Sequence, residues 1–178
     1  MRIPQFLCAL ILGAVDRVAE SRPPDQFIGG KVNTYLRRWW LNAWRFYTNE
    51  SPHWWQRLLV VFPHAYLHHF LRSDDDRALH DHPWCNVSVL LRGEYTEHSI
   101  AAGGIHVRRI RRAGDVVFRR AKSAHRIELH AGRCTTLFLT GFRVRDWGFH
   151  CPQRGWVHWR RFGNPDDGGE TVGAGCEG

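Results

Sequence analysis

The segment Arg77-Ala-Leu-His80-Asp-His82-Pro-Trp84, with His125 following 43 residues after His82, carries the clearest chemical signal in the chain. Side chains on an extended segment alternate between its two faces, so His80 and His82 point one way and Asp81 the other. A third imidazole from a distant strand can close one face of a metal's coordination sphere. Neutral imidazoles suit iron, zinc, nickel, copper or manganese and leave positions open for water or substrate. The plainer alternative is a set of packed or solvated histidines, which is what a lone strand histidine usually is.

The flanking residues extend the same chemistry. Arg72 and Arg77 can grip a substrate carboxylate or phosphate bidentately, or pair with Asp74, Asp75 and Asp76 in a solvated turn. Asp81, facing away from the histidines, is expected to pair with an arginine. Trp84 can wall a pocket or pack in the core. His68 and His69 are adjacent in one strand, so at most one of them faces the pocket.

The surrounding text has the rhythm of an all-β domain. Residues 5–20 show helical spacing, and Ser21-Arg-Pro-Pro-Asp25 ends that helix. Residues 33–48 are aromatic-rich and ambiguous between helix and strand; 53–59 suit a short helix. Short apolar runs follow at 58–62, 65–71, 78–82, 87–91, 95–100, 105–111, 115–119, 124–129, 135–141 and 143–147. Turns at Gly93 and at Gly103-Gly104 separate them. Many short strands at regular spacing imply a sandwich or barrel. The expected organisation is an N-terminal helical and aromatic extension over 1–57, a barrel over 58–162 and a disordered tail over 163–178.

Composition limits the partners. The net charge is +8, nearly all of the cations are arginine, and the tail after Gly163 is acidic, leaving about +12 on the remainder. Such a surface attracts anions: a small anionic substrate, a nucleotide or a nucleic acid. Five cysteines without a CxxC pair read as ordinary thiols of a reducing compartment, and hence as a cytoplasmic protein. The apolar run Phe6 to Val15 is too short to span a bilayer, so no membrane partner is expected; it reads as an amphipathic or buried first helix, with the apolar part of a signal peptide as the alternative.

Two motifs resemble those of the cupin superfamily. The first cupin motif runs Gly, five residues, His-x-His, three or four residues, Glu, six residues, Gly. Here Asp74 stands at the first Gly, His80 and His82 match, Asn86 replaces Glu, and Gly93 matches. In the second motif Gly114 and His125 match, while Arg120, Lys122 and Leu129 replace Pro, Gly and Asn. The resemblance covers roughly residues 60–145. Small cupin-domain proteins of bacteria and their viruses share the look of His80-Asp-His-Pro-Trp and Trp147-Gly-Phe-His-Cys-Pro.

The resemblance implies a double-stranded β-helix, the cupin jelly-roll barrel, preceded by N-terminal helical segments. His80, His82 and His125 would hold one divalent metal ion. Fe(II) is the first expectation, with Zn, Ni or Mn as alternatives. Three histidines without the usual carboxylate resemble the thiol dioxygenases, so the leading function is an Fe(II) oxidoreductase acting on a small anion. Arg77, Trp84 and Asn86 would contact that substrate. A second reading is a metal-dependent isomerase, epimerase or decarboxylase, with Glu97 or His98 moving the proton. A third is a nucleotide or nucleic-acid binding module. Many cupins are dimers, which makes a homodimer the expectation by resemblance. The His-x-Asp/Glu pattern of the 2-oxoglutarate oxygenases is not met at His80.

Overall fold

A computed structural model describes residues 1–42, 63–74, 78–130, 132–167 and 171–177. The expected helix at 53–59 and strand at 58–62 lie outside the described residues, as does Arg77. The first element is helix α1 (Gln5–Ser21). Strands β1 (Gln26–Ile28), β2 (Leu36–Trp40), β3 (Ala65–Phe70) and β4 (Leu79–His80) follow. Then come β5 (Asn86–Arg92), β6 (Glu94–Ile100), β7 (His106–Arg112) and β8 (Val116–Arg119). The last strands are β9 (His125–Leu129), β10 (Cys134–Thr140), β11 (Gly148–Cys151) and β12 (Gly155–His158), with a single-turn helix α2 (Trp159–Phe162) at the end.

The strands form two antiparallel sheets, ordered β1-β2-β3-β10-β5-β8 and β12-β11-β4-β9-β6-β7. The sheets face each other as a jelly roll. Leu36, Phe70, Leu90, Tyr95, Ile127 and Cys134 pack between them, drawn from both sheets. The first sheet is buried on its outer face as well. There Trp39, Leu67, Val89 and Leu91 receive Cys8 and Val15 of α1. This double burial explains why Leu67 on β3 and Val89 to Leu91 on β5 are buried whichever face of the sheet they take. No helix among the described residues is long and apolar enough to cross a membrane.

The two matched motif glycines have separate reasons to be glycine. Gly93 joins β5 to β6 at a φ of 89°, and a Cβ there would lie 2.6 Å from the Cys134 sulfur. Gly114 turns β7 into β8 at a φ of 93°.

Four expectations are corrected. Residues 33–48 resolve in part into a strand, β2, which with β1 extends the barrel sheet; 43–48 lie outside the described residues. The run 143–147 is not a strand, and the β11–β12 hairpin follows it instead. The tail expected to be disordered makes a one-turn helix at Pro165–Asp167 and a β-bridge from Gly163 to Val172. Cys176 of that tail is disulfide-bonded to Cys151, so two of the cysteines expected as free thiols are joined. A single disulfide supplies an anchor that an acidic, glycine-rich composition does not advertise, and it runs against the reducing-compartment reading.

Candidate metal centre

The second sheet brings the three imidazoles together. β4 pairs with β9 at one position, His80 opposite His125, so these two side chains leave the sheet side by side. His82 follows two residues later, its N–H donated to the Ala121 carbonyl at 3.1 Å, and emerges on the same face. The ring centroids lie 4.8 to 5.3 Å apart. One ligating nitrogen from each ring falls within 4.8 Å of the others. His82 Nε2 and His125 Nε2 are 3.0 Å apart.

The electrostatics suit the same task. Burial pushes His125 down to about 3, and the nearby Arg119 charge pushes in the same direction. Burial also lowers His82, helped by its imidazole and arginine neighbours, and lowers His80 against the opposing pull of Asp74. All three are therefore neutral at pH 7, the form in which imidazole ligates. The donor set and the protonation state fit a divalent ion.

Two carboxylates stand next to the imidazoles. Glu97 Oε1 is 3.4 Å from His125 Nδ1, the ring nitrogen that faces away from the triad. Asp74 Oδ2 is 3.9 Å from His80 Nδ1 and accepts the Ile127 N–H at 2.6 Å. Such carboxylates fix the orientation of metal-binding histidines. Asp74 is thus part of the site and not a solvated turn residue; Asp75 and Asp76 lie outside the described residues.

Glu97 does not fit the role of proton carrier. Burial opposes its ionisation, yet contacts from His125, Arg119 and Arg111 hold it well below the usual carboxylate range. Arg119 Nε donates to one oxygen at 2.6 Å and Arg111 Nε to the other at 2.7 Å. His98 is farther from the chemistry still. It pairs with Arg126, one residue along β9 from His125, and so points to the opposite face. There it meets Glu128 at 2.6 Å and His106 at 3.0 Å. The strand parity of 97 and 98 forbids both from facing inward.

Asn86 is buried behind the guanidinium of Arg119, which reaches its Oδ1 at 3.5 Å. It does not line the cavity. Trp84 does. Asp81 points away from the triad as expected and accepts from Gly148 N, Trp156 Nε1, His150 and Arg145. It ties the histidine segment to β11 and β12.

The triad opens on a cavity of about 300 Å³ between the sheets. The facing sheet supplies Arg38, His68, Ser88, Arg119 and Phe138. His68 faces this cavity, whereas His69 packs edge-on against Trp39 outside the barrel. Arg38 and Arg119 were not anticipated. Arg119 had a local signal, since it shares strand parity with the buried Val117. Arg38 had none, because its strand joins the barrel through β3, some thirty residues away in sequence.

Fold and site together define the class: a jelly-roll barrel with three histidines gathered between its sheets. Within that class it is a three-histidine centre whose neighbouring carboxylates, Asp74 and Glu97, contact the imidazoles. No family model matches the chain, and no curated protein does. Among solved structures, a cupin superfamily protein from Desulfitobacterium hafniense aligns at 17% identity with a TM-score of 0.38, covering 46% of this chain and 68% of the other. Oxalate decarboxylase from Lactobacillus farciminis aligns at 13% identity with a TM-score of 0.45, covering 64% and 30%. Hydroxypropylphosphonic acid epoxidase from S. wedmorenis aligns at 13% identity with a TM-score of 0.37, covering 44% and 43%. The chain therefore spans less than half of either of these two enzymes.

Proposed function

We propose that this chain is a metal-dependent enzyme that oxidises a small anionic substrate, with Fe(II) as its working ion. One observation carries the reading: three neutral imidazoles form one wall of a cavity whose other wall presents guanidinium groups. His80, His82 and His125 would hold the ion, and Asp74 and Glu97 would keep His80 and His125 in orientation. When bound, iron supplies the electron chemistry for using dioxygen. Neutral ligands leave the ion's charge uncompensated, which favours an anion beside it. Phe138, Phe149 and Trp147 line the cavity and keep it partly dry.

An isomerase, epimerase or decarboxylase would need a proton carrier in the cavity. Glu97 is held by two arginines and His98 lies on the other face, which weighs against that reading. A cavity of this size sits at the lower end of small-molecule sites and does not admit a nucleic-acid chain. A homodimer is proposed on the resemblance alone and is read by sedimentation. A cytoplasmic location is likewise proposed. The Cys151–Cys176 bond opposes it, and a thiol count on protein extracted under alkylating conditions decides between them.

The test is metal analysis of protein purified without added metal, beside His80→Ala and His125→Ala. One ion per wild-type chain and none in the variants is the expected result. Oxygen uptake is then followed over a panel of small carboxylates with Fe(II) restored. Folded wild type with no stoichiometric ion ends the proposal. A metal-loaded protein that turns over a carboxylate equally well without oxygen moves it to the isomerase or decarboxylase class.

A further inference from the structure

The cavity wall opposite the triad holds a cation without a counter-charge. Arg119 is paired with Glu97, a carboxylate it shares with Arg111, but Arg38 has no carboxylate partner among the described residues. Its Nε donates to His68 Nε2 at 2.9 Å, its Nη1 to Gln26 Oε1 at 3.2 Å, and it lies 4.9 Å from the centre of the Tyr66 ring. Each of those neighbours is neutral. Arg38 is half-buried on the cavity wall, and a cation withdrawn from water is costly unless something negative meets it.

Two further donors lack partners on the same cavity. His68 Nε2 accepts from Arg38, so its proton sits on Nδ1. That nitrogen is buried and makes no hydrogen bond, and the residue as a whole is 3% exposed. Trp84 Nε1 is likewise buried and unpartnered. Burial, reinforced by the Arg38 charge, keeps His68 neutral, so it neither competes as a cation nor supplies an anion. Arginine, imidazole N–H and indole N–H are all donors. What satisfies them is an acceptor, and what balances Arg38 is a single negative charge. Phe70, Ile127, Phe138 and Phe149 supply apolar surface to the same space.

We propose that Arg38, assisted by His68 and Trp84, anchors the carboxylate of a monoanionic substrate with an apolar body, whose far end reaches toward the triad. The placement of that far end rests on the proposed function; the anchor itself does not. Arg38 is thus the specificity-determining residue, in place of the expected Arg77, which lies outside the described residues.

Benzoate is the probe, with benzamide as its neutral isostere and phenyl phosphate as the dianion. Calorimetric titrations use the full chain, both treated with chelator and loaded with metal. Benzoate is expected to bind in both forms. Benzamide, or benzoate with Arg38→Met, is expected to bind about ten- to a hundredfold more weakly. Arg38→Lys is expected to recover part of the loss. Trp84→Phe is expected to cost about three- to tenfold. Circular dichroism checks each variant; should Arg38→Met not fold, the benzamide comparison on wild type and Arg38→Lys still decide. Equal binding of benzoate and benzamide overturns the anchor, and tighter binding of phenyl phosphate overturns the monoanion. Arg38-dependent benzoate binding in a protein that retains no metal would remove the proposed function and leave the anchor standing. A stoichiometric metal with no such dependence would do the reverse.

Discussion

Glu97 shows how neighbours set the role of a carboxylate. It lies 3.4 Å from His125, and both of its oxygens are also taken by arginines. Glu97→Gln keeps the shape and removes the charge that orients the imidazole. Metal affinity is expected to fall about 10- to 100-fold, read by competition titration against a chelating dye. Glu97→Ala would also leave Arg119 buried without its partner, at a cost of about 3–5 kcal/mol in urea unfolding. Equal metal affinity in wild type and Glu97→Gln would deny Glu97 any part in orienting His125.

His69 gives a pH-dependent prediction at the same scale. Burial against Trp39 drives it down to about 4, and the Arg133 charge adds to the effect. Between about pH 6.5 and 4 the unfolded chain takes up a proton that the folded one refuses, so stability falls as the pH falls through that window. At neutral pH and above, His69 makes no pH-dependent contribution. Each pH unit inside the window costs about 1 kcal/mol from this one group. His69→Phe should flatten the pH dependence of the urea midpoint by about that amount while the three site histidines continue to titrate. An unchanged slope would show that His69 is not the group refusing the proton. The His-x-His pair was legible because strand parity is local. The same parity set His98 apart from Glu97 but is easily overlooked when two polar residues are adjacent. Arg38 was out of reach, because its pairing with β3 is a long-range fact.

At the scale of elements, the site depends on pieces too short to be secure alone. β4 is two residues long, and its contact with β9 is the single His80–His125 pair. Asp81 anchors it from behind by accepting from Gly148 N and Trp156 Nε1 of the β11–β12 hairpin. That hairpin is in turn tied to the C-terminal segment by Cys151–Cys176, across 25 residues of sequence. Thr171 and Val172 of the tethered segment line the cavity. Cys176→Ser releases the loop and should cost about 3 kcal/mol in unfolding free energy, seen as a lower urea midpoint with a somewhat steeper slope, because the uncrosslinked denatured chain exposes more surface. Its stability should equal that of wild type under reducing conditions. A variant as stable as the oxidised wild type would show that the crosslink contributes nothing. Most of the barrel strands could be read from runs between glycine turns. The hairpin was misplaced because its strands are four residues each, interrupted by Pro152 and Gly155, and the tail because nothing in its composition marks Cys176 as an anchor.

At the scale of the whole molecule, the candidate centre joins a fold that its own hydrogen bonds leave thin at one point. An ion held by His80, His82 and His125 would link β4, the segment after it and β9 in the folded state alone. Ligands that bind only the folded state stabilise it by mass action, by about 2.7 kcal/mol at a hundred times the dissociation constant. For a chain of this size each kcal/mol moves the melting temperature by about 2–4 °C, so chelation should lower it by roughly 5–10 °C. His80→Ala should melt near the chelated wild type and respond to neither metal nor chelator. Arg38→Met should keep the full metal-dependent shift, because Arg38 lies on the facing sheet and outside the donor set. This pairing separates the two walls of the cavity by differential scanning calorimetry, without need of an identified substrate. If the metal-dependent shift survives in His80→Ala, the ion is bound elsewhere on the molecule. If Arg38→Met abolishes it, the two walls do not act independently, and the anion anchor and metal centre must be treated as one site.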